Sequence, residues 1–414
     1  MSALRHFLVR HKERFRFLKP LWVGYRVALG RLPWRWVPGS SRTFGPPRGW
    51  HPTTREYLRR AGAPDDAVRE AVPAENVTRV PPRSLEAEPD WPYRAALREE
   101  IPAVEAYALH DVRFWGDYAG TLIGRDDRVL GDLTRDPWEV RRHRIFTRWK
   151  LPRVRRFDGV TAILSVAQAE TNYWHWTLEV LPRIEQLRRA GFPPERIDRF
   201  VVNHRDRPFQ RETLEDLGVP WEKVVRADAA LHAACACAVV PALKPGHTAA
   251  GTASLAFLRG RAAALAPDAR PHRRLYVTRR SAVFRRVGPE AEVAARLARR
   301  GFEVVECERL TVAEQRRLFR EAAVVVGAHG AGLSNLVYCQ PGARVLELLA
   351  PRYVDLSYWC FTGQLGLEHW ILVGDGERPP EGVAPLARQD DIGFDPARLE
   401  RTLDAMGVGP DGCP

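Results

Sequence analysis

A glycine-rich turn in the last third of the chain contains residue types that bind phosphate groups. The apolar residues 323–326 are typical of a strand that is buried on both faces. The turn 327–332 that follows contains three glycines and His329, and Ser334 just beyond it is expected to cap a short helix. A strand that ends in such a turn before a helix presents main-chain N–H groups at the positive end of the helix dipole. This geometry suits a phosphate or diphosphate. The alternative is a turn whose glycines serve packing alone.

Charged side chains on both sides of this turn could complete a diphosphate site. Arg279 and Arg285 could clamp the diphosphate as cations, and His329 could donate a hydrogen bond to a phosphate or sugar oxygen. Glu347, near the end of the next apolar run, could accept hydrogen bonds from ribose hydroxyls. The alternatives are a solvated basic loop, a histidine bonded to nearby backbone and an ordinary exposed carboxylate.

A second group of candidate residues precedes the turn and could supply a general base. His175, Glu179 and Arg183 are spaced four residues apart, so they share one face of a helix predicted to begin near Asn172. Glu179 could take a proton from an acceptor hydroxyl, while His175 contacts donor phosphate or assists the base. The spacing alone favours the alternative, a surface ladder of charged side chains whose aromatic neighbours lie in the core.

Alternating apolar runs and helical patterns surround both groups and predict two α/β domains. In the second domain the order of strands and helices predicts a parallel doubly wound sheet, with Arg279, His329 and Glu347 at strand ends. In the first, short strands between residues 104 and 133 are expected to form an antiparallel element, followed by alternating strands and helices up to residue 240. The expected boundaries are a basic arm and linker over 1–95, domains over 96–245 and 246–375, and a tail over 376–414 whose last helix crosses back to the first domain.

The net charge of +13 on 414 residues is concentrated at the N-terminus. Residues 1–60 contain fourteen Lys or Arg against two Glu, a net +12, so the remainder carries only +1. A domain that binds nucleic acid through its fold spreads basic residues over one face, which this distribution does not predict.

The basic arm contains a predicted amphipathic helix over residues 3–19, followed by tryptophans among further arginines. The sequence has no apolar run of the roughly 18 to 20 residues that a membrane span needs, and no signal-peptide core. The arm could lie on an anionic membrane surface. The alternative is a solvated helix packed on the domain or on a partner.

No metal site is expected from the sequence. The six cysteines show no Cys-x-x-Cys spacing, and no Asp-x-Asp follows a strand. A reaction that does not depend on a metal ion is therefore favoured.

These motifs together resemble glycosyltransferase family 61. The resemblance covers roughly residues 100–375 and is carried by two signatures in the same order as in that family. They are NYWHWTLEVLPR at 172–183 and VVGAHGAGLSNLV at 325–337, supported by LYVTR at 275–279, GFEVV at 301–305 and PGARVLEL at 341–348. One departure is visible, because Gly288–Pro289–Glu290 stands where the family pattern has Asn-Glu.

The resemblance implies a fold of the GT-B type, in which two Rossmann-like domains face a central cleft. It implies an inverting glycosyltransferase that moves a sugar from a nucleotide-sugar donor to a glycan or lipid-linked glycan acceptor, without cofactor, metal or specific nucleic acid. Bacterial members are associated with capsular or other surface polysaccharides, so a cytoplasmic protein, peripheral on the inner face of the plasma membrane, is expected. The implied catalytic residues are Glu179 as base and His175, and Arg183 lies elsewhere in the cleft. The implied donor-binding residues are Arg279, Arg285, His329, Gly330, Ala331, Gly332, Ser334, Asn335 and Glu347.

Two other classes of function remain open from the sequence. The departure at Gly288 is compatible with a non-catalytic nucleotide- or glycan-binding protein of the same fold. The charge of residues 1–60 is compatible with a nucleic-acid-binding protein that acts through its arm.

Overall fold

The computed structural model describes residues 46–85, 91–118, 120–134, 140, 143–148, 150–243, 251–383 and 389–410, together with Leu21 and Tyr25. The amphipathic helix expected over residues 3–19 lies outside the described residues. Within the described part of the chain, no helix has the length and apolar content needed to cross a membrane.

The described strands are numbered here in chain order. They are β1 Gly49–His51, β2 Val68–Val72, β3 Glu75–Thr78, β4 Arg98–Ile101, β5 Val104–Trp115, β6 Thr121–Ile123, β7 Arg128–Leu130, β8 Arg155–Ile163, β9 Arg199–Val202, β10 Val224–Arg226, β11 His232–Pro241, β12 Arg273–Val277, β13 Phe302–Val305, β14 Ala322–Ala328, β15 Arg344–Leu349 and β16 Glu368–Val373.

The described α-helices are numbered in the same way. They are α1 Thr54–Ala61, α2 Trp91–Ala95, α3 Tyr173–His175, α4 Leu181–Arg189, α5 Pro208–Asp216, α6 Thr252–Leu265, α7 Glu290–Arg299, α8 Val312–Arg320, α9 Trp359–Thr362 and α10 Pro396–Ala405. A π-helical segment, Trp176–Val180, joins α3 to α4, and a 3₁₀ helix covers Ala331–Tyr338.

The second sheet contains five parallel strands in the order β13-β12-β14-β15-β16. Its central strand β14 is an almost continuous run of small and β-branched residues, as expected where helices cover both faces. The chain leaves β12 toward β13 on one side and returns to β14 on the other, so the carboxyl ends of β12 and β14 meet at a topological switch point. Ligands bind at such points in open α/β sheets.

Helices cover both faces of the second sheet. Apolar residues of α7 and α10 form one cluster with β12, β14 and β15, and those of α6, α8 and the 3₁₀ helix join a cluster on the other face. Leu399 and Leu403 of α10 have no exposed surface in the first of these clusters. The last helix therefore packs on the second sheet together with α7 and does not cross to the first domain, because its apolar residues are buried in this cluster.

The first sheet is mixed: it combines parallel strands with the antiparallel element expected between residues 104 and 133, so it is not the purely parallel sheet of a Rossmann-like domain. Strands β10, β9, β8 and β11 are parallel neighbours, but β5 and β6 pair antiparallel beyond them, and β2 pairs with β5. Asp111, where two short strands were expected to separate, lies inside the single strand β5 with a φ of 53°. The polar residues at that point mark a local kink, because β11 pairs with β5 on both sides of it.

Part of the predicted arm belongs to the fold. Strand β1 pairs with β7, and β2 with β5, so residues 49–72 are built into the first sheet. Residues 79–83 then reach the second sheet. The Arg83 N–H donates to His369 O at 2.8 Å, and the Arg83 carbonyl accepts from Ile371 N at 2.9 Å. The chain thus crosses to the second domain before it returns to β4 and β5.

Candidate active site

A cleft of about 160 Å³ lies at the switch point of the second sheet, between the two domains. The wall from the first domain contains Gln168, Asn172, Trp174 and His175. The opposite wall contains Arg285, the turn at His329–Ala331, and side chains of the loop 353–358. The two signatures of the sequence therefore face each other across one cleft.

His175 lies on the cleft wall and Glu179 lies behind it. The His175 Nδ1 is 2.6 Å from Glu179 Oε2, and the side chains are 7% and 27% exposed. Asn172 accepts a hydrogen bond from Trp174 N at 2.9 Å through its side chain and so begins the helix that carries the pair. With Nδ1 held by a carboxylate, Nε2 becomes the basic ring nitrogen. This geometry allows His175 Nε2 to act as a base in place of Glu179, and the assignment of Glu179 from the sequence stays a prediction.

A π-helical segment follows His175 and contains Glu179. Its last bond runs from Leu181 N to Trp176 O, five residues back. The next residue, Pro182, has no main-chain N–H to donate, so it loses no helical hydrogen bond where the helix widens. Such π-helical turns occur frequently at functional sites.

Arg183 does not line the cleft. Its guanidinium is buried and donates to Ile163 O and Pro241 O, both at 3.0 Å, at the carboxyl ends of β8 and β11. Burial lowers the pKa of Arg183 to about 10, although the charge of Glu179 acts to raise it. Arg183 therefore joins two strand ends and holds a positive charge near Glu179.

His329 is fixed by a buried carboxylate. Its Nδ1 is 2.5 Å from Glu347 Oε1, and the other carboxylate oxygen is 3.1 Å from His369 Nε2. Glu347 has no exposed surface, so it orients His329 and cannot contact ribose as the sequence suggested. Burial acts to raise the pKa of Glu347, but the hydrogen bonds and charges of the two histidines lower it overall.

Arg285 and Arg279 lie beside the turn. Arg285 has a left-handed backbone, with a φ of 55°, and its Nε donates to His329 O at 2.9 Å. Arg279 donates to Phe284 O at 2.9 Å, and its guanidinium lies so close to Gly330 that a Cβ there would be 1.7 Å from Nη1. Burial and the neighbouring charge of Arg285 lower the pKa of Arg279. Two cations held together in this way form a favourable environment for an anion.

The remaining predicted donor residues divide into two groups. Gly330 and Ala331 line the cleft. Gly332 packs on Val277, and Ser334 and Asn335 are fully buried. Ser334 does not cap the helix as expected, because the 3₁₀ helix already begins at Ala331 and contains it.

Asn335 belongs to a buried hydrogen-bond network that joins the domains. Its Oδ1 accepts from Tyr173 Oη at 3.1 Å, and its Nδ2 donates to Gln315 Oε1 at 2.6 Å. Tyr173 starts the helix that carries His175, and Asn335 lies in the helix that follows the turn. The network therefore fixes the distance between the two walls of the cleft.

Replacing Tyr173 by phenylalanine should destabilise the protein by about 1 to 3 kcal/mol, because the buried Asn335 carbonyl loses its donor. Chemical denaturation measures this free energy of unfolding. Tyr118→Phe is the matched control, because Tyr118 is 41% exposed and the same hydroxyl is lost there in contact with water. Equal stabilities for the two variants would show that the network does not join the domains.

Several cleft residues carried no signal in the sequence. Tyr353, Asp355, Ser357 and Tyr358 come directly after β15, where the carboxyl-end rule for parallel strands could have indicated them. Gln168 has a left-handed backbone that nothing in the sequence suggests. His369 lies on the neighbouring strand β16, which pairs with β15.

The described residues contain no group of three or more His, Cys, Asp and Glu that could hold a metal ion. Of the cysteines, those at 235, 237, 307, 339 and 360 are free thiols.

Part of the chain is similar to a known protein family. Residues 173–346 match the family model described as Glycosyltransferase 61, and this region contains both signatures. The chain is also 42% identical over 55 residues to a beta-1,2-xylosyltransferase of rice, Oryza sativa subsp. japonica. That match covers 12% of this chain and 10% of the relative, so the chain spans about a tenth of the relative's length. Residues 173–346 therefore carry a glycosyltransferase family 61 domain.

Proposed function

We propose that the protein is an inverting glycosyltransferase that moves a sugar from a nucleotide-sugar to a hydroxyl group of a glycan or lipid-linked glycan. The observation that carries this proposal is the cleft in which His175, backed by Glu179, faces Arg285 and the turn His329–Ala331. One wall offers a base and the other offers positive charge suited to a diphosphate. A transfer between two substrates needs both.

The second domain suits the donor. Arg285 and the turn would hold the diphosphate at the switch point, while Arg279, which does not line the cleft, holds Arg285 in place. The positive charges of the two arginines would stabilise the negative charge that develops on the departing phosphate oxygen. In this arrangement the arginines supply the neutralisation that a metal ion provides elsewhere. The two sheets, with the acceptor on the first and the donor on the second, would then form a GT-B-like pair.

The first domain suits the acceptor. In the proposed step, His175 Nε2 takes the proton of an acceptor hydroxyl while that oxygen attacks the anomeric carbon of the donor sugar. The bond between the anomeric carbon and the phosphate oxygen breaks, and its electron pair leaves with the diphosphate. Because attack and departure occur on opposite faces, the configuration at the anomeric carbon inverts. Glu179 stabilises the imidazolium that forms.

A panel of nucleotide-sugars tests the proposal. A donor at 100 times its dissociation constant should raise the free energy of unfolding by about 2.7 kcal/mol, which a thermal melt detects. UDP-xylose belongs in the panel because of the name of the rice relative. Release of nucleoside diphosphate in the presence of glycan acceptors, and NMR of the product's anomeric proton, then test transfer and inversion. The proposal is wrong if no donor in the panel either stabilises the protein or is consumed.

The basic N-terminal residues are proposed to contact an anionic membrane surface, which would place the enzyme near a lipid-linked acceptor. Residues 1–45 contain ten Lys or Arg against one Glu. A chain that starts at residue 46 retains all of the described strands, the first of which is β1 Gly49–His51. This shortened chain should lose binding to phosphatidylserine vesicles at low salt, yet keep its melting temperature and donor affinity. If the full chain ignores such vesicles at low salt, the arm has another role.

A further inference from the structure

Asp355 places a carboxylate in the same cleft as Arg285 and the turn His329–Ala331. Its Oδ1 accepts from Ser357 N at 2.8 Å and from the Ser357 hydroxyl, and its Oδ2 accepts from Tyr353 Oη at 3.2 Å. A carboxylate has roughly four acceptor positions, so these three bonds leave it able to accept another. Asp355 and Ser357 both line the cleft.

This carboxylate is ionised at neutral pH. Burial acts to raise the pKa of Asp355, but the charge of His329 and the hydrogen bonds from Ser357 and Tyr353 lower it overall. The cleft therefore has a fixed negative charge close to the fixed positive charge of the arginines. A ligand that fills both should be anionic at one end and carry no negative charge at the other.

Gln168 lines the same cleft from the first domain. Its backbone is left-handed, with a φ of 65°, a conformation that costs free energy for a residue other than glycine and that occurs often at functional sites. Its main-chain carbonyl accepts hydrogen bonds from Thr171 N at 3.1 Å and from Asn172 N at 3.0 Å. Gln168 lines the cleft, and its side chain ends in an amide. That amide makes no hydrogen bond to another residue in the described part of the chain. An amide both donates and accepts, which suits hydroxyl groups.

We propose that Asp355 and Gln168 bind hydroxyl groups of the transferred sugar from opposite walls, and that Asp355 excludes sugars that carry a carboxylate. The inference rests on the proposed function, because it assigns the sugar subsite of that transferase. Two carboxylates without an intervening cation repel each other, so Asp355 would disfavour a uronic acid at this point. A hydroxyl group of a neutral sugar would instead make a favourable hydrogen bond to Asp355.

The position within the cleft assigns Asp355 to the sugar and not to the nucleoside. Tyr353 donates a hydrogen bond to Asp355, and the Tyr353 ring centre lies 5.3 Å from that of His329 and 5.1 Å from the Arg285 guanidinium. Only the Tyr353 side chain therefore separates Asp355 from the residues that would bind the diphosphate. It shares the cleft with His175. The group that lies between a diphosphate and the base of the reaction is the sugar, whereas the nucleoside lies beyond the diphosphate.

Asp355→Asn is the test, because asparagine keeps the size and removes the charge. With donors of neutral sugars, kcat/KM should fall about 10- to 100-fold, as when a hydrogen bond to a charged group is lost. With UDP-glucuronate the same value should rise, so the ratio of neutral to acidic donor falls further. Affinity for UDP and for pyrophosphate, measured by calorimetry, should stay unchanged. Asp268→Asn, the same change at an exposed site, should alter none of these values.

Gln168→Met provides a second variant that keeps the Asp355 loop intact. It should lower kcat/KM for neutral donors without altering UDP affinity. The inference is overturned if Asp355→Asn keeps the wild-type ratio of neutral to acidic donor. It is also overturned if this variant loses UDP affinity but keeps pyrophosphate affinity, because Asp355 would then bind ribose. A wild-type protein that transfers sugar from no donor overturns the proposed function itself.

Discussion

Replacing His175 by glutamine should lower kcat roughly 10²- to 10⁴-fold, the usual contribution of a positioned general base. Glutamine is similar in size, so the helix and the cleft wall should remain, but its amide cannot accept a proton at neutral pH. A base acts only in the chemical step. We therefore expect the affinity for UDP to stay unchanged while turnover falls, and single-turnover kinetics with a saturating donor measures this.

Glu179→Gln separates the roles of the two residues. If His175 is the base and Glu179 holds its Nδ1–H, the variant keeps an acceptor oxygen but loses the charge that stabilises the imidazolium. Its kcat should fall less than that of His175→Gln, and the double variant should lose little more than His175→Gln alone, because the pair acts as a unit. A larger loss for Glu179→Gln would restore the expectation from the sequence that Glu179 is the base.

The matched control is His110→Gln, a histidine on an exposed position of β5 in the same domain. It should keep wild-type kcat and melting temperature. If His175→Gln also keeps wild-type kcat, the base lies elsewhere, and Asp355, a carboxylate that lines the cleft, is the next candidate.

The second sheet could be predicted from the sequence because buried parallel strands consist of continuous runs of apolar residues. Residues 323–326 and 344–349 contain no charge that faces water apart from Arg344, and glycines mark the turns between elements. The carboxyl-end rule then placed Arg279, His329 and Glu347 at the edge of the sheet where ligands bind, without any knowledge of distances. What it could not indicate is which strand-end residues are buried.

Glu347 and Arg183 illustrate this limit. A charged residue is normally exposed, and burial is tolerated only where partners are supplied from elsewhere in the chain. The partner His369 reaches Glu347 because β16 pairs with β15, and Arg183 meets the ends of β8 and β11, two strands separated by more than sixty residues. Such partners are set by strand pairing and leave no local pattern.

The first sheet was less predictable for the same reason. Strand β1 has three residues and pairs with β7, far along the chain, in a region whose prolines and arginines suggested a linker. Long-range pairing, and not local periodicity, determines such short strands. The cleft loop 353–358 likewise has no periodicity, and its polar side chains became candidates only once they lay beside His329.

Arg285→Ala should weaken the binding of pyrophosphate and of UDP by roughly 10- to 100-fold, as expected for the loss of hydrogen bonds to a charged group. Arg285 lines the cleft, and its hydrogen bond to His329 O also holds the loop against the turn. Arg285→Lys should recover little, because an ammonium lacks the planar fork that bonds a phosphate and a carbonyl together. Calorimetry at two salt concentrations measures both affinities.

Arg279→Ala should act in the same direction through the loop. The hydrogen bonds of Arg279 to Phe284 O and Arg285 O hold Arg285 in its left-handed conformation beside Gly330. The effect should therefore be smaller than that of Arg285→Ala, and the two should not add when combined, because both remove the same placement of one guanidinium.

Arg286→Ala is the control for charge alone. Arg286 follows Arg285 in the same loop, but its side chain is 57% exposed and paired with Asp391 at 2.7 Å. A nearby charge that does not line the cleft should change pyrophosphate affinity little, and less still at high salt. If Arg286→Ala weakens binding as much as Arg285→Ala, the loop attracts the anion only through its summed charge. If neither variant weakens binding while the fold is intact, the diphosphate does not bind beside the turn.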